Sequence, residues 1–292
     1  MKLLRRTLAV LGAVVPTLAA EVAWQLFVFL GKPAAVHERD RAVHLAATVG
    51  RLELHGQGVT TYSWGTGPAV ILLVHGWRSR ASRLSALVTT LSSPGRTIVS
   101  FDAPGNGASP GRRTTVLDYA DLIRMLGEKH GEFDAIVGHS FGVLATFLAV
   151  REGVRTRRIV AVAGMHAATQ LVRAFSRQLG LSSKVENLLR RNIERRTFPL
   201  VTDPWSRFVS RLDSADIPLM IVHDADDAAV DVGEAALIAA AHPGEVTTRL
   251  TSGLGHSRVL SDGPTLDAIA EFVAGSAPTR ANRSRETAAR SK

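Results

Sequence analysis

A serine stands between two glycines, each two residues away, in Gly138-His139-Ser140-Phe141-Gly142. That spacing suits acyl transfer. A strand turning sharply into a helix pushes its turning residue to positive φ, and glycines on either side remove the side chains that would collide. The serine Oγ then stands clear at a helix N-terminus. A hydroxyl is a weak nucleophile until a base takes its proton. Among ten histidines, His256 in Gly253-Leu254-Gly255-His256-Ser257 is the candidate base, since it follows the last strand-like segment. Such a base needs a carboxylate to fix its tautomer and steady the imidazolium. His223-Asp224-Ala225-Asp226-Asp227-Ala228-Ala229-Val230 offers three aspartates, of which Asp227 is preferred and Asp226 is the rival. Two backbone N–H groups must face the developing oxyanion. Phe141 supplies one, and Trp77 in His75-Gly76-Trp77 the other. The Trp77 ring either walls the pocket or packs in the core. His75 and His139 read as packing or supporting residues, and Asp102 as the cap of its own Pro- and Gly-rich loop.

These residues can meet only if strands and helices alternate around them. Arg51–His55 and Val59–Trp64 read as short strands. Ala69–Val74, Thr97–Phe101, Asp134–Val137, Arg158–Ala163, Ile217–Val222 and Glu245–Leu250 follow as further strands, several of them unbroken apolar runs. Helical spacing fills Ser79–Leu91, Thr115–Lys129, Phe141–Arg151, Asp231–Ala241 and Pro264–Val273. The rhythm predicts an α/β fold, a mostly parallel sheet with helices on both faces. Ser140, the Asp224–Asp227 loop and His256 then share the carboxyl edge of the sheet, where ligands bind in such folds. The stretch Met165–Asp216 is too long for a simple crossover. It carries helical patterns around Leu171–Leu179 and Val185–Arg195, with Trp205 and Phe208 as exposed-looking apolar bulk. It reads as an inserted helical lid.

With Phe101-Asp102-Ala103-Pro104-Gly105-Asn106-Gly107-Ala108-Ser109, these motifs stand in the order found in α/β-hydrolase fold proteins. The sequence resembles a bacterial esterase- or lipase-like member of that superfamily over roughly residues 51–275. The resemblance implies an eight-stranded-type sheet and a serine hydrolase acting through an acyl-enzyme. It places the acid on Asp227, while Asp224 stands where the family often has glycine. The expected substrate is a carboxylic ester, lipid-like or long-acyl. The alternatives are an acyltransferase using the same acyl-enzyme and a non-catalytic, membrane-associated binding protein of the same fold. The domain reading is an N-terminal helical segment at 1–50, a core at 51–164 and 217–275, a lid at 165–216 and a disordered basic tail at 276–292.

The 292 residues carry a net charge of +9 and no cysteine. Disulfides, thiol catalysis and cysteine-ligated metals are excluded. Gly105-x-Gly107 lacks the third glycine of a dinucleotide loop, and neither a Walker A sequence nor H-E-x-x-H is present. No cofactor and no metal are expected. Aromatic residues make up only 5%, so nucleic acid is not an expected partner. The basic charge clusters: residues 151–196 hold eleven Lys/Arg against three acids. Residues 2–6 are basic and 7–30 largely apolar, with Pro16 and Glu21 inside the run. That segment reads first as membrane-associated, second as a cleaved signal and third as core packing, so an anionic membrane surface is an expected partner. Secreted and cytoplasmic locations are the other readings, and oligomeric state is not legible.

Overall fold

A computed structural model describes residues 2–275. The chain opens with α1 (Lys2–Val14), α2 (Pro16–Val28) and α3 (Glu38–Leu45). A hairpin of β1 (Thr48–Leu54) and β2 (Gln57–Trp64) follows, then β3 (Ala69–Val74), α4 (Ser85–Leu91) and β4 (Arg96–Phe101). Next come α5 (Val116–His130), β5 (Ala135–His139), α6 (Phe141–Arg151) and β6 (Ile159–Val162). The long connection holds α7 (Ala168–Leu179), α8 (Ser183–Thr197) and α9 (Pro204–Arg207). The chain returns through β7 (Leu219–Asp224), α10 (Gly233–Ala240), β8 (Val246–Thr251), α11 (Gly255–Arg258) and α12 (Gly263–Val273).

The eight strands form one sheet in the order β1-β2-β4-β3-β5-β6-β7-β8. β1 and β2 pair antiparallel, as do β2 and β4, and every other pairing is parallel. This is the expected architecture. The central strands alternate faces with period two. Leu72 and Val74 face α5 and α6, whereas Ile71 and Leu73 face α4 and α12. Both faces are dry, which is why these strands read as continuous apolar runs. β4 and β5 flank β3 on opposite sides, so the chain reverses direction across the sheet beside β3. The crevice that opens at such a reversal, at the carboxyl ends of the strands, holds the site.

Helix α2 departs from the membrane role expected of the N-terminal segment. Helices α1 and α2 meet at a kink around Val15-Pro16, where proline removes a helical hydrogen bond. No described helix is long and apolar enough to cross a membrane. Instead α2 buries Ala19, Ala20, Ala23, Trp24, Phe27 and Val28, packed largely against α7 and α8. Core packing, the third-ranked reading, is what α2 adopts. β1 begins at Thr48, so the sheet starts inside the stretch assigned to the N-terminal segment. Phe208 is also a correction: it is 1% exposed and joins the core with Phe198. Trp205 is half-buried, its Nε1–H donating to Glu194 with Arg190 over its ring. Short apolar islands in a polar stretch looked exposed because the sequence does not show how the connection folds over them or which core cluster they join. The tail at 276–292 lies outside the described residues.

Truncating Phe208 removes a filled core position. Phe208→Ala should cost about 3–5 kcal/mol, read as a lower urea midpoint with unchanged slope.

Candidate active site

Ser140 sits at the end of β5 with φ 55° and ψ −119°. Left-handed backbone is costly for serine and persists only where neighbours enforce it. Here its N–H donates to the Val162 carbonyl of β6 at 2.9 Å, and its own carbonyl accepts from Val143 at 3.0 Å. The turn also needs bare backbone. A Cβ on Gly142 would lie 2.5 Å from the Val74 carbonyl oxygen. The hydroxyl therefore emerges over the N-terminus of α6, whose first N–H groups carry partial positive charge.

Ser140 Oγ lies 3.0 Å from His256 Nε2. His256 Nδ1 lies 2.7 Å from Asp227 Oδ2. A carboxylate can only accept, so Nδ1 carries the proton and Nε2 is free to accept from serine. The second Asp227 oxygen, Oδ1, accepts from the Ala229 and Val230 N–H groups at 2.8 and 2.9 Å. Burial raises the Asp227 carboxyl, but these donors and the imidazole outweigh it and hold the group below the usual carboxylate range. Asp226, the rival acid, turns elsewhere: its Oδ2 accepts from Gly253 N–H at 2.7 Å.

Asp224 has a different task. Its buried carboxylate accepts from Asp226 N–H at 3.0 Å, Leu254 N–H at 3.1 Å, Gly255 N–H at 2.8 Å and the Thr251 hydroxyl at 2.7 Å. One side chain thus pins the end of β7 to the turn that carries His256. Burial again pushes the carboxyl up, and the four donors bring it below its ordinary value. His139 grips the same histidine from the other side. Its Nε2–H donates to the His256 carbonyl at 3.0 Å, with the rings 4.8 Å apart. Burial, then the neighbouring His256, pushes His139 down to about 3, so it stays neutral beside the base.

The two N–H groups expected to face an oxyanion are oriented by neighbouring hydrogen bonds. His75 Nε2 accepts from Ala103 N–H at 3.1 Å, which leaves the proton on Nδ1, 2.8 Å from the Gly76 carbonyl. Tyr119 donates to that carbonyl at 3.2 Å. In a trans peptide the C=O and the following N–H point oppositely. Tying the Gly76 oxygen inward therefore turns the Trp77 N–H away from the buried pair. β3 and β5 run in register with Val74 beside Gly138, so Gly76 comes alongside Ser140. Among the described residues, neither the Trp77 nor the Phe141 N–H has a backbone acceptor. Asp102 caps more than its own loop. It accepts from Ala108 N–H at 2.7 Å, and also from Ala81 N–H at 2.7 Å and the Tyr62 hydroxyl at 2.9 Å.

Behind Phe141, the residue after the serine, lies an apolar cavity of about 40 Å3 that Ser140 itself does not line. Trp77 and Phe141 form one wall, their rings edge to face at 4.9 Å. Leu171, Ile193, Phe198 and Phe208 come from the long connection, and Phe27 and Val28 from α2. Phe27 stacks on Trp77 at 5.8 Å and meets Phe175 edge-on at 5.2 Å. Arg78, next to Trp77, holds the last turn of α2 by donating to the Leu26 and Phe29 carbonyls at 2.9 Å each. Among the described residues, no group of three or more His, Asp and Glu is disposed to hold a metal.

Comparison with known proteins places the fold. The profile of the alpha/beta hydrolase family matches residues 71–274. The chain belongs to that family. Alpha/beta hydrolase domain-containing protein 10 from mouse is similar in structure, with a TM-score of 0.59 at 17% identity, covering 78% of this chain and 98% of its own. An esterase from Pyrococcus furiosus gives 0.57 at 17% identity, covering 85% and 98%. An esterase from Rhodococcus sp. gives 0.57 at 17%, covering 80% and 100%. Identities this low show the fold alone. No curated protein matches in sequence. Family membership supports hydrolysis as the class of chemistry of this alpha/beta hydrolase.

Sequence reasoning missed the Asp224 clamp, the His139 tether and the part α2 plays in the cavity. An aspartate closing the apolar strand Leu219–Asp224 was a visible signal for the first. The His139 tether spans 117 positions, and α2 reaches the cavity through Trp77 and Phe175, both remote from it in the chain.

Because Asp224 and Asp227 sit below their ordinary values, the stability they supply is whole above about pH 4. It is lost as pH falls through their folded values. Asp224→Asn should lower Tm at pH 7 by several degrees, about 1 kcal/mol corresponding to 2–4 °C, and the gap from wild type should narrow at pH 3. A gap independent of pH in thermal melts would contradict the clamp.

Proposed function

We propose that this alpha/beta hydrolase is a serine hydrolase that cleaves carboxylic esters through an acyl-enzyme. The observation that carries the reading is the continuous relay from Ser140 Oγ through His256 to Asp227, with an apolar cavity behind Phe141. Ser140 Oγ attacks the ester carbonyl while His256 Nε2 takes its proton. The oxyanion that forms is held by the Trp77 N–H, in the loop after β3, and the Phe141 N–H at the start of α6. Asp227 keeps the imidazole in the accepting tautomer and steadies its positive charge. His256 then returns the proton to the departing alkoxide. Water, deprotonated by the same histidine, releases the acid and restores Ser140.

The acyl chain enters the apolar cavity, and the helices from the long connection act with α2 as the lid over it. The cavity has room for about three waters, so short acyl groups fit as it stands. A long or lipid-like chain requires α2 to move off Trp77. Hydrolysis is favoured over transfer only while water reaches the acyl-enzyme.

A fluorophosphonate probe should label wild type and spare Ser140→Ala. The same variant should lose roughly 10⁴-fold or more in kcat on p-nitrophenyl esters. Labelling that survives Ser140→Ala, or its absence from folded wild type, would sink the proposal. An ester product on adding an alcohol would redirect it to acyl transfer.

A further inference from the structure

Helix α1 has a face that the fold leaves in water. Leu3, Val10 and Val14 follow one another at seven- and four-residue intervals and so line one side. They are 79%, 67% and 74% exposed. Val15 and Leu18, at the turn into α2, are exposed as well. Leu8, on another side, is the residue of α1 that is buried. Lys2 and Arg6 border the apolar strip, and α1 contains no acid. Arg5 reaches along to Gly180 at the end of α7, its Nε 3.5 Å from where a Cβ would stand. On α7 and α8 the bases Arg173, Arg177, Lys184 and Arg191 are exposed too.

We infer that this face docks on the surface of an anionic phospholipid bilayer, with α1 lying in the plane of the headgroups. An apolar strip bordered by Lys and Arg is the pattern of an interfacial helix. The surface of an anionic leaflet supplies the charge that the strip's borders lack. A second copy of the chain does not: α1 holds three basic residues and no acid, so its own copy offers them no opposite charge. A spanning arrangement is ruled out by length, since α1 ends after thirteen residues. The inference goes beyond the proposed ester chemistry. It also bears on it, because α1 runs directly into α2, whose Phe27 and Val28 roof the cavity. Docking on α1 brings that roof to the lipid.

The test is flotation of the purified full-length chain with vesicles of phosphatidylcholine alone or with 30% phosphatidylglycerol, an arbitrary but usual proportion of about one lipid in three. Wild type should float with the anionic vesicles only, and less at 0.5 M than at 0.1 M salt, roughly as screening predicts. The triple variant Leu3→Glu, Val10→Glu, Val14→Glu should bind at least about ten-fold less. Thermal melting monitors its fold. Lys2→Gln, Arg5→Gln, Arg6→Gln should lose the preference for anionic lipid. The same experiment on Ser140→Ala should give wild-type flotation, so failure of the ester reading leaves this one standing. Absence of flotation, or equal flotation of wild type and the Glu variant, overturns it. So does a dimer in sedimentation that the Glu substitutions dissolve without any vesicle binding.

Discussion

Everything at the site depends on how closely two strand ends can approach. β3 and β5 lie side by side in parallel register, and the turn after each must pass the other with almost no side chain between. Gly142 touches the backbone of Val74 and His75, and a Cβ on Gly76 would stand 3.0 Å from the Ser140 Cβ. That proximity puts the serine hydroxyl and the Trp77 peptide on the same rim. The strained φ of Ser140 is the cost of this arrangement. It is offset by the hydrogen bond to β6 and by burial of α6 against the sheet.

Around that contact the fold uses buried polar groups as fasteners. Asp224, His139, His75 and Tyr119 each fix a backbone unit rather than meet solvent. A carboxylate bearing four donors is hard to displace, because any lost donor leaves charge unsatisfied in a dry interior. The base is held from both sides, by Asp224 below its turn and His139 at its carbonyl. Neutral His139 matters electrically too: a second positive imidazole 4.8 Å away would oppose charge on His256.

The sheet and its order of elements were legible because the relevant signals are local. Apolar runs bounded by Gly and Pro mark the inner strands, and Gly138–Gly142 marks the turn within five residues. The Asp226–Asp227 ambiguity was not resolvable from sequence, since neighbouring aspartates differ only in where the loop aims them. In space they diverge, one to Gly253 and one to His256. Residues 16–28 misled because composition reports apolarity but not its partner. Trp24 and Phe27 bury against Val172, Leu189 and Ile193, far along the chain. The misjudged Phe208 has the same cause.

Residues before the sheet are stitched to it at several points besides Arg78. Leu30 donates to the Arg112 carbonyl at 3.0 Å, and Arg80 donates to Ala34 at 2.9 Å. A recombinant version trimmed to begin at residue 31 would therefore be more than a shorter protein. It would bare the indole of Trp77 and the ring of Phe175 to water and release the Arg78 guanidinium next to Trp77. Choosing where to start an expression clone is, for this molecule, a decision about its chemistry.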